Sequence, residues 1–412
     1  MTVEGITQRH RLTVIGSLFL VSDIGYSFFF AALGTILLGK GTSLQNVALI
    51  NLLGVIYFGR FLIGPVVDRY GVAKWGHYRG WLIGTQLALI ACLLALATLD
   101  PVADLPVVLT ATTVVLVISA FHDTAVNGLS VRLVPAEERG LANGIQVGAA
   151  SLSILIGSGG SLLLYASAGW AVTLIVLAAV FGVPLAALAH FTEPTSPPRD
   201  QGVSWRALAG PFRSRRTAAW ILLVVPFMAL GLYLATAVQS AMLLAAGWET
   251  ARIALVQYTM APLAGVAAGL VTGGLITRWG RRRSLIAIGG CSAIALAGLL
   301  PLATGAGHSL LAGAAVVAVA IAYSAMATWI YTIAMDLARP ATAATDVTVQ
   351  VSVLGVLRMS ASAGGLALAA VAGYPPLIAS SVLLSLAGTT VAALWTRRHS
   401  PTDYPNVTSQ MG

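Results

Sequence analysis

Long apolar runs separated by short polar breaks extend along almost the whole chain. The first run begins at Leu12, and Asp23 is its only charge before Lys40. A helix that crosses a bilayer needs about 20 apolar residues, and dividing the chain at charges, prolines and glycines gives twelve segments of that kind. The predicted spans are 12–38, 44–66, 80–99, 106–133, 140–166, 168–191, 217–245, 251–276, 284–305, 308–337, 342–370 and 374–395.

One long polar segment divides the twelve predicted spans into two groups of six. It covers 192–216 and is rich in proline, serine and arginine, a composition typical of a linker between domains. We therefore expect a six-helix half over 1–191, a cytoplasmic linker and a second six-helix half over 217–412. No cleaved signal peptide is expected, because the first apolar run is longer than the apolar part of a signal.

The composition also indicates a membrane protein. Of the 412 residues, 58% are hydrophobic and only 9% are charged, with a mean hydropathy of +0.88. A soluble domain does not bury so much apolar surface, so we expect a polytopic helical membrane protein. Cys92 and Cys291 both fall inside apolar runs, which argues against a disulfide framework.

The basic residues predict the orientation. Nineteen of the 23 lysines and arginines fall in loops on one side if both termini are cytoplasmic. Lys40 and Arg252 lie on the other side, and Arg60 and Arg358 lie inside spans. Short cytoplasmic loops carry the excess of positive charge, so we expect both termini inside. The net charge of +9 is therefore a membrane-orientation signal, and we expect no nucleic-acid partner.

Two loops half a chain apart resemble each other. The first reads GPVVDRYG over 64–71 and the second reads GGLITRWGRRR over 273–283. Aligning Arg69 with Arg278 also aligns Gly71 with Gly280. Parallel six-helix repeats of this kind are a transporter architecture in which the substrate site lies near the bilayer midplane.

The first of these loops resembles the loop 2–3 signature of the major facilitator superfamily. Its continuation, VAKWGHYRGWLIGTQ over 72–86, resembles the branch of muropeptide permeases and of inner-membrane ferric-siderophore permeases of the pyochelin and rhizobactin type. The resemblance implies an all-α membrane protein with twelve transmembrane helices in two pseudo-symmetric halves. It also implies that spans one, four, seven and ten line a central cavity and that the halves rock during alternating access.

The resemblance further implies a gate at the inner side. Asp68 would face the N-terminus of span eleven, near Ala341, where the helix dipole is positive. Thr277 replaces the corresponding acid in the second copy, which weakens a gating role there, and we expect Arg281 to Arg283 to be orientation anchors only. An orientation role alone is also the alternative for Asp68 and Arg69. The residues assigned to gating are Asp68, Arg69, Gly71, Arg132 and Asp336.

Ionisable groups inside spans are rare and costly, so each is a candidate functional residue. Ser119, Asp123 and Asn127 recur at i, i+4 and i+8 and form one polar stripe on span four. Either Asp23 or Asp123 would carry the coupling proton. The residues assigned to substrate binding or proton coupling are Asp23, Tyr26, Ser27, Arg60, Ser119, His122, Asp123, Asn127, Gln146, Thr328, Trp329, Tyr331 and Arg358.

Two structural alternatives remain open for these groups. Asp23 would form an ion pair with Arg60 or Arg358 that serves the fold alone. His122 would form a hydrogen bond between packed helices instead of relaying protons. Arg358 would bind an anionic group of the substrate, or hold a carboxylate until the substrate displaces it.

The sequence contains no zinc-peptidase HExxH, no phosphate-binding loop and no cysteine–histidine cluster with metal spacing. We therefore expect a transporter and not an enzyme, without cofactor or bound metal, driven by a proton gradient. We expect a monomer in the lipid bilayer of the bacterial inner membrane. Aromatic residues near the buried charges favour import of a small aromatic ferric siderophore. They are Tyr26, Phe28, Phe29 and Phe30 after Asp23, and Trp329 and Tyr331 on span ten. The alternatives are a muropeptide importer, a multidrug or siderophore exporter, and a sensor that transports nothing.

Overall fold

Helices make up most of the part of the chain that the structure, a computed structural model, describes. The described residues are 6–43, 59–71, 75–194, 204–305 and 309–397. Most of the predicted second span, Lys74 and linker residues 195–203 lie outside them. The helices are α1 (Gln8–Ser22), α2 (Ile24–Ser27), α3 (Gly34–Gly39), α4 (Gly64–Arg69), α5 (His77–Leu96), α6 (Leu105–Leu133), α7 (Arg139–Ile154), α8 (Ser161–Ala189), α9 (Gly210–Arg213), α10 (Arg215–Ala219), α11 (Val225–Ala245), α12 (Thr250–Leu255), α13 (Ala261–Ala297), α14 (Leu300–Ala303), α15 (Ser309–Leu337), α16 (Ala343–Ala372) and α17 (Tyr374–Arg397).

Some of these helices are joined to their neighbours by π-helical turns, which are wider than an α-helical turn, or by 3₁₀ turns, which are tighter. The π-helical turns are rare and often occur at functional sites. The π-helical turns are Phe28–Leu33, Leu155–Gly160, Trp220–Val224 and Val256–Met260, and the 3₁₀ turns are Gly59–Leu62, Trp205–Ala209 and Pro340–Thr342.

Nine helical stretches within the described ranges are long and apolar enough to cross a membrane. Two of them, Arg139–Ala189 and Thr250–Ala303, have 51 and 54 residues and are too long for a single crossing. The first contains Gly169 with φ 79°, and the second contains Gly280 with φ 78°. Glycine adopts this conformation without steric cost, so the chain turns there. Each stretch therefore corresponds to two predicted spans, and the twelve-span count stays a prediction.

The contacts divide the chain into two units that follow the sequence halves except at two exchanged segments. Unit 1 combines the described residues up to Val134 with those of 149–208 and with Ala341–Val349. Unit 2 combines Pro135–Gly148 with Ala209–Pro340 and with the described residues from Gln350 onward. Each unit thus incorporates the start of one helix, α7 or α16, from the other half of the sequence.

The core of unit 1 lies where the π-helical turn after α2 meets α5, α6 and α8. Phe28 and Phe29 are fully buried, and their rings meet edge to face at 5.1 Å. Trp170 packs on Phe28 and donates its indole N–H to the Leu96 carbonyl at 2.9 Å. Leu163, by contrast, is 75% exposed, as expected for a helix that is apolar on all sides and faces lipid.

The core of unit 2 contains a group of tryptophans and a very close helix crossing. The ring of Trp220 lies 5.6 Å from that of Trp329 and 5.2 Å from that of Trp395. Where α7 crosses α13, a Cβ added to Gly144 would lie 2.5 Å from the carbonyl oxygen of Gly269. Small residues allow helix backbones to approach this closely inside a membrane.

Candidate functional site

A buried ion pair joins the predicted polar stripe of α6 to the 3₁₀ turn at Gly59–Leu62. Arg60 Nη1 lies 2.7 Å from Asp123 Oδ2, with side-chain exposures of 15% and 8%. Asn127 donates its side-chain amide to the Asp123 carbonyl at 2.8 Å, one turn along the same helix. Removing one member of such a pair would leave an uncompensated charge in a medium of low dielectric. The pair can therefore respond to a proton or to a competing anion.

Asp23 lies at a local break inside the helical stretch Gln8–Gly39, which corresponds to the first predicted span. It ends α1 and precedes α2, with φ −102° and ψ −4°, and its side chain is half-buried. The π-helical turn Leu155–Gly160 packs against this break. A Cβ on Gly157 would lie 2.7 Å from the Ile24 carbonyl oxygen and 2.8 Å from Ser27 Cβ. The break therefore has a specific partner, for which the glycine-rich run 157–160 is the visible sequence signal.

His122 forms a bridge between three helices of unit 1. The side chain is fully buried. Its Nδ1 lies 3.3 Å from Ser22 Oγ, and its Nε2 lies 3.2 Å from Gln86 Nε2. Because the Gln86 amide nitrogen only donates, His122 Nε2 accepts, and its Nδ1–H donates to Ser22. Ser22 in turn donates to the Leu18 carbonyl at 3.1 Å. A satisfied neutral imidazole in this place favours the helix-packing role over the proton relay.

We expect His122→Ala to lower the thermal stability of the protein and to leave proton coupling intact. The change removes two buried hydrogen bonds and opens a cavity, a loss of about 2–4 kcal/mol. Thermal unfolding in detergent and gradient-driven uptake in vesicles measure the two effects. His190→Ala, at an exposed position, is the control. Unchanged stability with lost coupling would restore the relay role.

Asp68 accepts four hydrogen bonds in unit 1 and is only 4% exposed. The backbone N–H groups of Ala344 and Thr345 donate to it at 3.1 and 2.8 Å, and the Thr345 hydroxyl donates at 2.6 Å. The fourth donor is the Tyr78 hydroxyl at 2.6 Å. The carboxylate therefore caps the N-terminus of α16, where free N–H groups and the positive end of the dipole favour an anion. This is the contact that the family resemblance implied.

The other predicted gating residues of unit 1 lie near the end of α4 and the start of α5. The Arg69 guanidinium carbon lies 5.8 Å from the Tyr70 ring centroid. A Cβ on Gly71 would overlap the ring of His77. Arg132 lies over the Tyr78 ring at 4.8 Å, a cation–π contact.

Asp336 holds two arginines in unit 2 and is only 3% exposed. Arg139 Nη1 lies 3.1 Å from its Oδ1, while Arg281 Nε lies 3.0 Å from its Oδ2. Arg281 also donates to the Ala136 carbonyl. The expectation that Arg281 serves only as an orientation anchor is therefore corrected: it belongs to a buried ion network. Sequence reasoning missed this, because a loop rich in arginine does not show which of them finds a partner.

Tyrosines and an arginine form a second group in unit 2. The rings of Tyr233 and Tyr323 lie 5.7 Å apart, and their side chains are hydrogen-bonded. Tyr331 and Arg358 lie within electrostatic range of the Tyr233 hydroxyl. Tyr233 is 5% exposed, Tyr323 and Tyr331 are half-buried and Arg358 is exposed. A charged guanidinium at an accessible surface, within electrostatic range of a phenol hydroxyl, is suited to an anionic group.

Trp329 does not belong to this accessible group, although the sequence predicted it as a wall of the site. It is fully buried, packs on Trp220 and donates its indole N–H to the Arg281 carbonyl at 2.7 Å. It is therefore a core residue. Its neighbour Thr328 is also fully buried and donates to the Ser324 carbonyl at 2.8 Å.

The remaining predicted site residues lie in different environments. Ser119 is buried, and its Oγ would lie 3.3 Å from a Cβ on Gly25. Tyr26 packs on Phe30, with ring centroids 4.5 Å apart. Gln146 lies in the exchanged segment of α7 and thus in unit 2. Its amide oxygen is buried, and the described residues offer it no hydrogen-bond partner.

The comparisons with known proteins establish the family. The model of the Major Facilitator Superfamily matches residues 15–367, so the chain belongs to this superfamily of membrane transporters. The chain is 29% identical to the anhydromuropeptide permease of Escherichia coli K12 over 283 residues, which are 67% of this chain and 57% of that protein. It is 24% identical to putative transporter AmpG 4 of Rickettsia felis over 302 residues, or 70% and 73% of the two chains.

Solved structures share the fold. A bacterial homologue of the iron transporter ferroportin superposes with a TM-score of 0.68 at 15% identity, over 97% of this chain and 100% of that one. The E. coli fucose:proton symporter superposes with a TM-score of 0.68 at 18% identity, over 94% and 98%. The match to the E. coli permease spans little more than half of that protein's length.

Proposed function

We propose that the protein is a proton-coupled importer of anhydromuropeptide-type cell-wall fragments in the bacterial inner membrane. The observation that carries this proposal is the similarity to muropeptide permeases over two thirds of the chain. It favours the muropeptide alternative over the ferric-siderophore hypothesis, which depended on aromatic residues near the buried charges. Phe28, Phe29 and Trp329 are among those aromatics, and all three are core residues.

The ion pair between Arg60 and Asp123 supports the coupling part of the proposal. Protonation of Asp123 would remove its charge and release Arg60, and deprotonation would restore the pair. Charged groups within spans are costly and line ion or proton pathways. The Asp123 carboxylate and an anionic group of the substrate would therefore compete for Arg60. Protonation of Asp123 would thus favour substrate binding, which couples the entry of the two.

The tyrosines of unit 2 support the binding part of the proposal. A muropeptide combines sugar rings with a short peptide that bears carboxylates. The flat faces of Tyr323 and Tyr331 provide apolar surface for a sugar ring with a hydroxyl at the rim. Arg358 would bind a carboxylate through its guanidinium fork. Tyr233 and Tyr323 thereby add hydrogen-bonding groups that were absent from the sequence-based assignment.

The contacts of Asp68 and Asp336 support a gating role for the two exchanged segments, which are the starts of α16 and α7. Asp68 holds the start of α16 in unit 1, and Asp336 holds the start of α7 in unit 2 through Arg139. Both contacts join parts of the chain from different sequence halves. Breaking and remaking them would accompany each cycle of alternating access.

Uptake into proteoliposomes tests the proposed function. Right-side-out and inverted vesicles would receive labelled anhydromuropeptide, or a labelled ferric siderophore in parallel, with and without an inward proton gradient. We expect gradient-dependent uptake of the muropeptide in the right-side-out vesicles only. Uptake of the siderophore without uptake of the muropeptide would mean that the protein imports the siderophore instead. Absence of uptake of either compound would overturn both.

We expect Arg358→Ala to raise the apparent KM for the muropeptide about tenfold with a smaller change in kcat, since a charged hydrogen bond contributes about 1.5–3 kcal/mol. Initial uptake rates over a range of concentrations measure this. Arg397→Ala, exposed in the last turn of α17, is the matched control. An unchanged KM would place Arg358 outside the binding site.

A further inference from the structure

The N-terminus of α5 is capped by a carboxylate from a distant part of the chain. Glu193 follows α8, lies outside any helix and is 7% exposed. Its Oε2 accepts the backbone N–H of Tyr78 at 2.9 Å and that of Arg79 at 2.8 Å. The residue before α5, Gly76, supplies no side-chain cap. Glu193 thus satisfies N–H groups that the helix leaves free and complements the positive end of its dipole.

Neighbouring residues leave room for the Glu193 cap and hold α5 close to the end of α8. A Cβ on Gly76, whose φ is 93°, would lie 2.8 Å from Glu193 Oε2. Arg79 Nε donates to the Leu188 carbonyl at 3.0 Å, which ties α5 to the end of α8 a second time. Burial raises the pKa of Glu193 above the usual carboxyl value, while the two N–H bonds and the charges of Arg132 and Arg79 lower it. The donors therefore stabilise the charged form that the cap requires.

Tyr78 connects this cap to Asp68. It is fully buried, its backbone N–H donates to Glu193, and its hydroxyl donates to Asp68. The ring is held on one side by Gly128, where a Cβ would lie 2.5 Å from a ring carbon, and by Arg132 at 4.8 Å. These contacts link the position of the ring to that of the first turn of α5. Because Glu193 caps that turn, the cap influences where the Tyr78 hydroxyl lies.

We propose that Glu193 and Tyr78 are positioning residues of the Asp68 gate, so that the segment after α8 sets how tightly Asp68 holds the start of α16. This inference rests on the gating role in the proposed function. The Tyr78 hydroxyl and the Ala344 N–H share Asp68 Oδ1, while Oδ2 accepts both donors of Thr345. Loss of the cap lets Tyr78 shift, and the carboxylate loses the donor that orients it toward α16.

The reactivity of a buried reporter cysteine tests this without any substrate. The full chain carries Cys92→Ala and Cys291→Ala, with Thr348→Cys as the reporter in α16. Thr348 is 1% exposed, and its Oγ1 would lie 2.9 Å from a Cβ on Gly64. The rate of its modification by N-ethylmaleimide in inverted membrane vesicles reports how often the start of α16 separates from α4.

We expect Tyr78→Phe and Glu193→Gln each to raise the modification rate about tenfold, which corresponds to about 1.4 kcal/mol. The double variant should match either single variant, because both act on the same contact. Glu193→Asp should recover part of the loss. Tyr165→Phe and Glu249→Gln, both outside this network, are the matched controls, and thermal unfolding verifies that each variant is folded.

Asp68→Asn separates the inference from the function on which it rests. If Asp68→Asn raises the rate while Tyr78→Phe and Glu193→Gln do not, the gate stands and the positioning role is overturned. If the two substitutions multiply in the double variant, Glu193 does not act through Tyr78, and the inference is again overturned. If Asp68→Asn itself leaves the rate unchanged, the gate and its positioning residues both fail.

Discussion

The Asp123→Asn variant is expected to lose proton-driven accumulation of substrate while retaining part of its substrate exchange. The amide keeps the shape of the side chain but neither takes up a proton nor neutralises Arg60, whose Nη1 lies 2.7 Å from Asp123. Exchange requires no net proton movement, so it survives where accumulation does not. Uptake against a gradient and exchange in preloaded vesicles measure the two quantities on the same preparation.

Variants of both partners test whether the loss of accumulation belongs to the ion pair between Arg60 and Asp123. Arg60→Gln leaves a buried carboxylate without its partner, and we expect a loss of stability of about 3–5 kcal/mol. The double variant Arg60→Gln/Asp123→Asn removes both charges, so stability should recover while accumulation stays absent. Asp104→Asn, in the loop before α6, is the control. If Asp23→Asn alone abolishes accumulation and Asp123→Asn does not, the proton site lies at the break in the first span.

The Asp336→Asn variant is expected to lose both thermal stability and transport. Arg139 and Arg281 would then share no carboxylate, and breaking a buried pair costs about 3–5 kcal/mol. Thermal unfolding in detergent and the initial uptake rate measure the two effects. Asp100→Asn breaks the exposed pair with Lys40, and we expect no measurable change there, because exposed pairs contribute little.

Neighbouring arginines provide an internal control for the same network. Arg281→Gln removes the guanidinium that contacts Asp336 and Ala136, whereas Arg282→Gln removes an exposed charge from the next position. We expect only the first to lower stability. Equal effects of both variants would mean that the network contributes through its net positive charge at the membrane surface and not through specific pairing.

Local features of the sequence predicted the class of protein and the character of its helices. The length of an apolar run can be compared directly with the thickness of the bilayer. This criterion requires no knowledge of which helices lie next to each other. The breaks near Gly169 and Gly280 were recognised for a similar reason, because a glycine between two apolar runs allows the chain to turn. The contact of Asp68 with the start of α16 followed from the family resemblance and is present in the structure.

The same reasoning overestimated the aromatic lining of the site. Phe28 and Phe29 were predicted to line the site near Asp23, which lies half-buried at the break. Both rings are in the core of unit 1. A helix that is apolar on all sides gives no pattern from which the buried face can be told from the face toward lipid or cavity. The prediction of a siderophore substrate depends on that distinction, and the similarity to muropeptide permeases favours the alternative substrate.

By itself, the sequence determined the membrane class and the presence of charges within spans, and it predicted a division into two halves. These depend on composition and spacing along one chain. Only the tertiary structure decided which charges pair: Arg60 with Asp123, Arg281 with Asp336, and Glu193 with the first turn of α5. Each contact forms where two segments of the chain pack in a particular orientation, and the partners are up to 115 residues apart. Tertiary packing sets that orientation, so no local pattern in the sequence contains it.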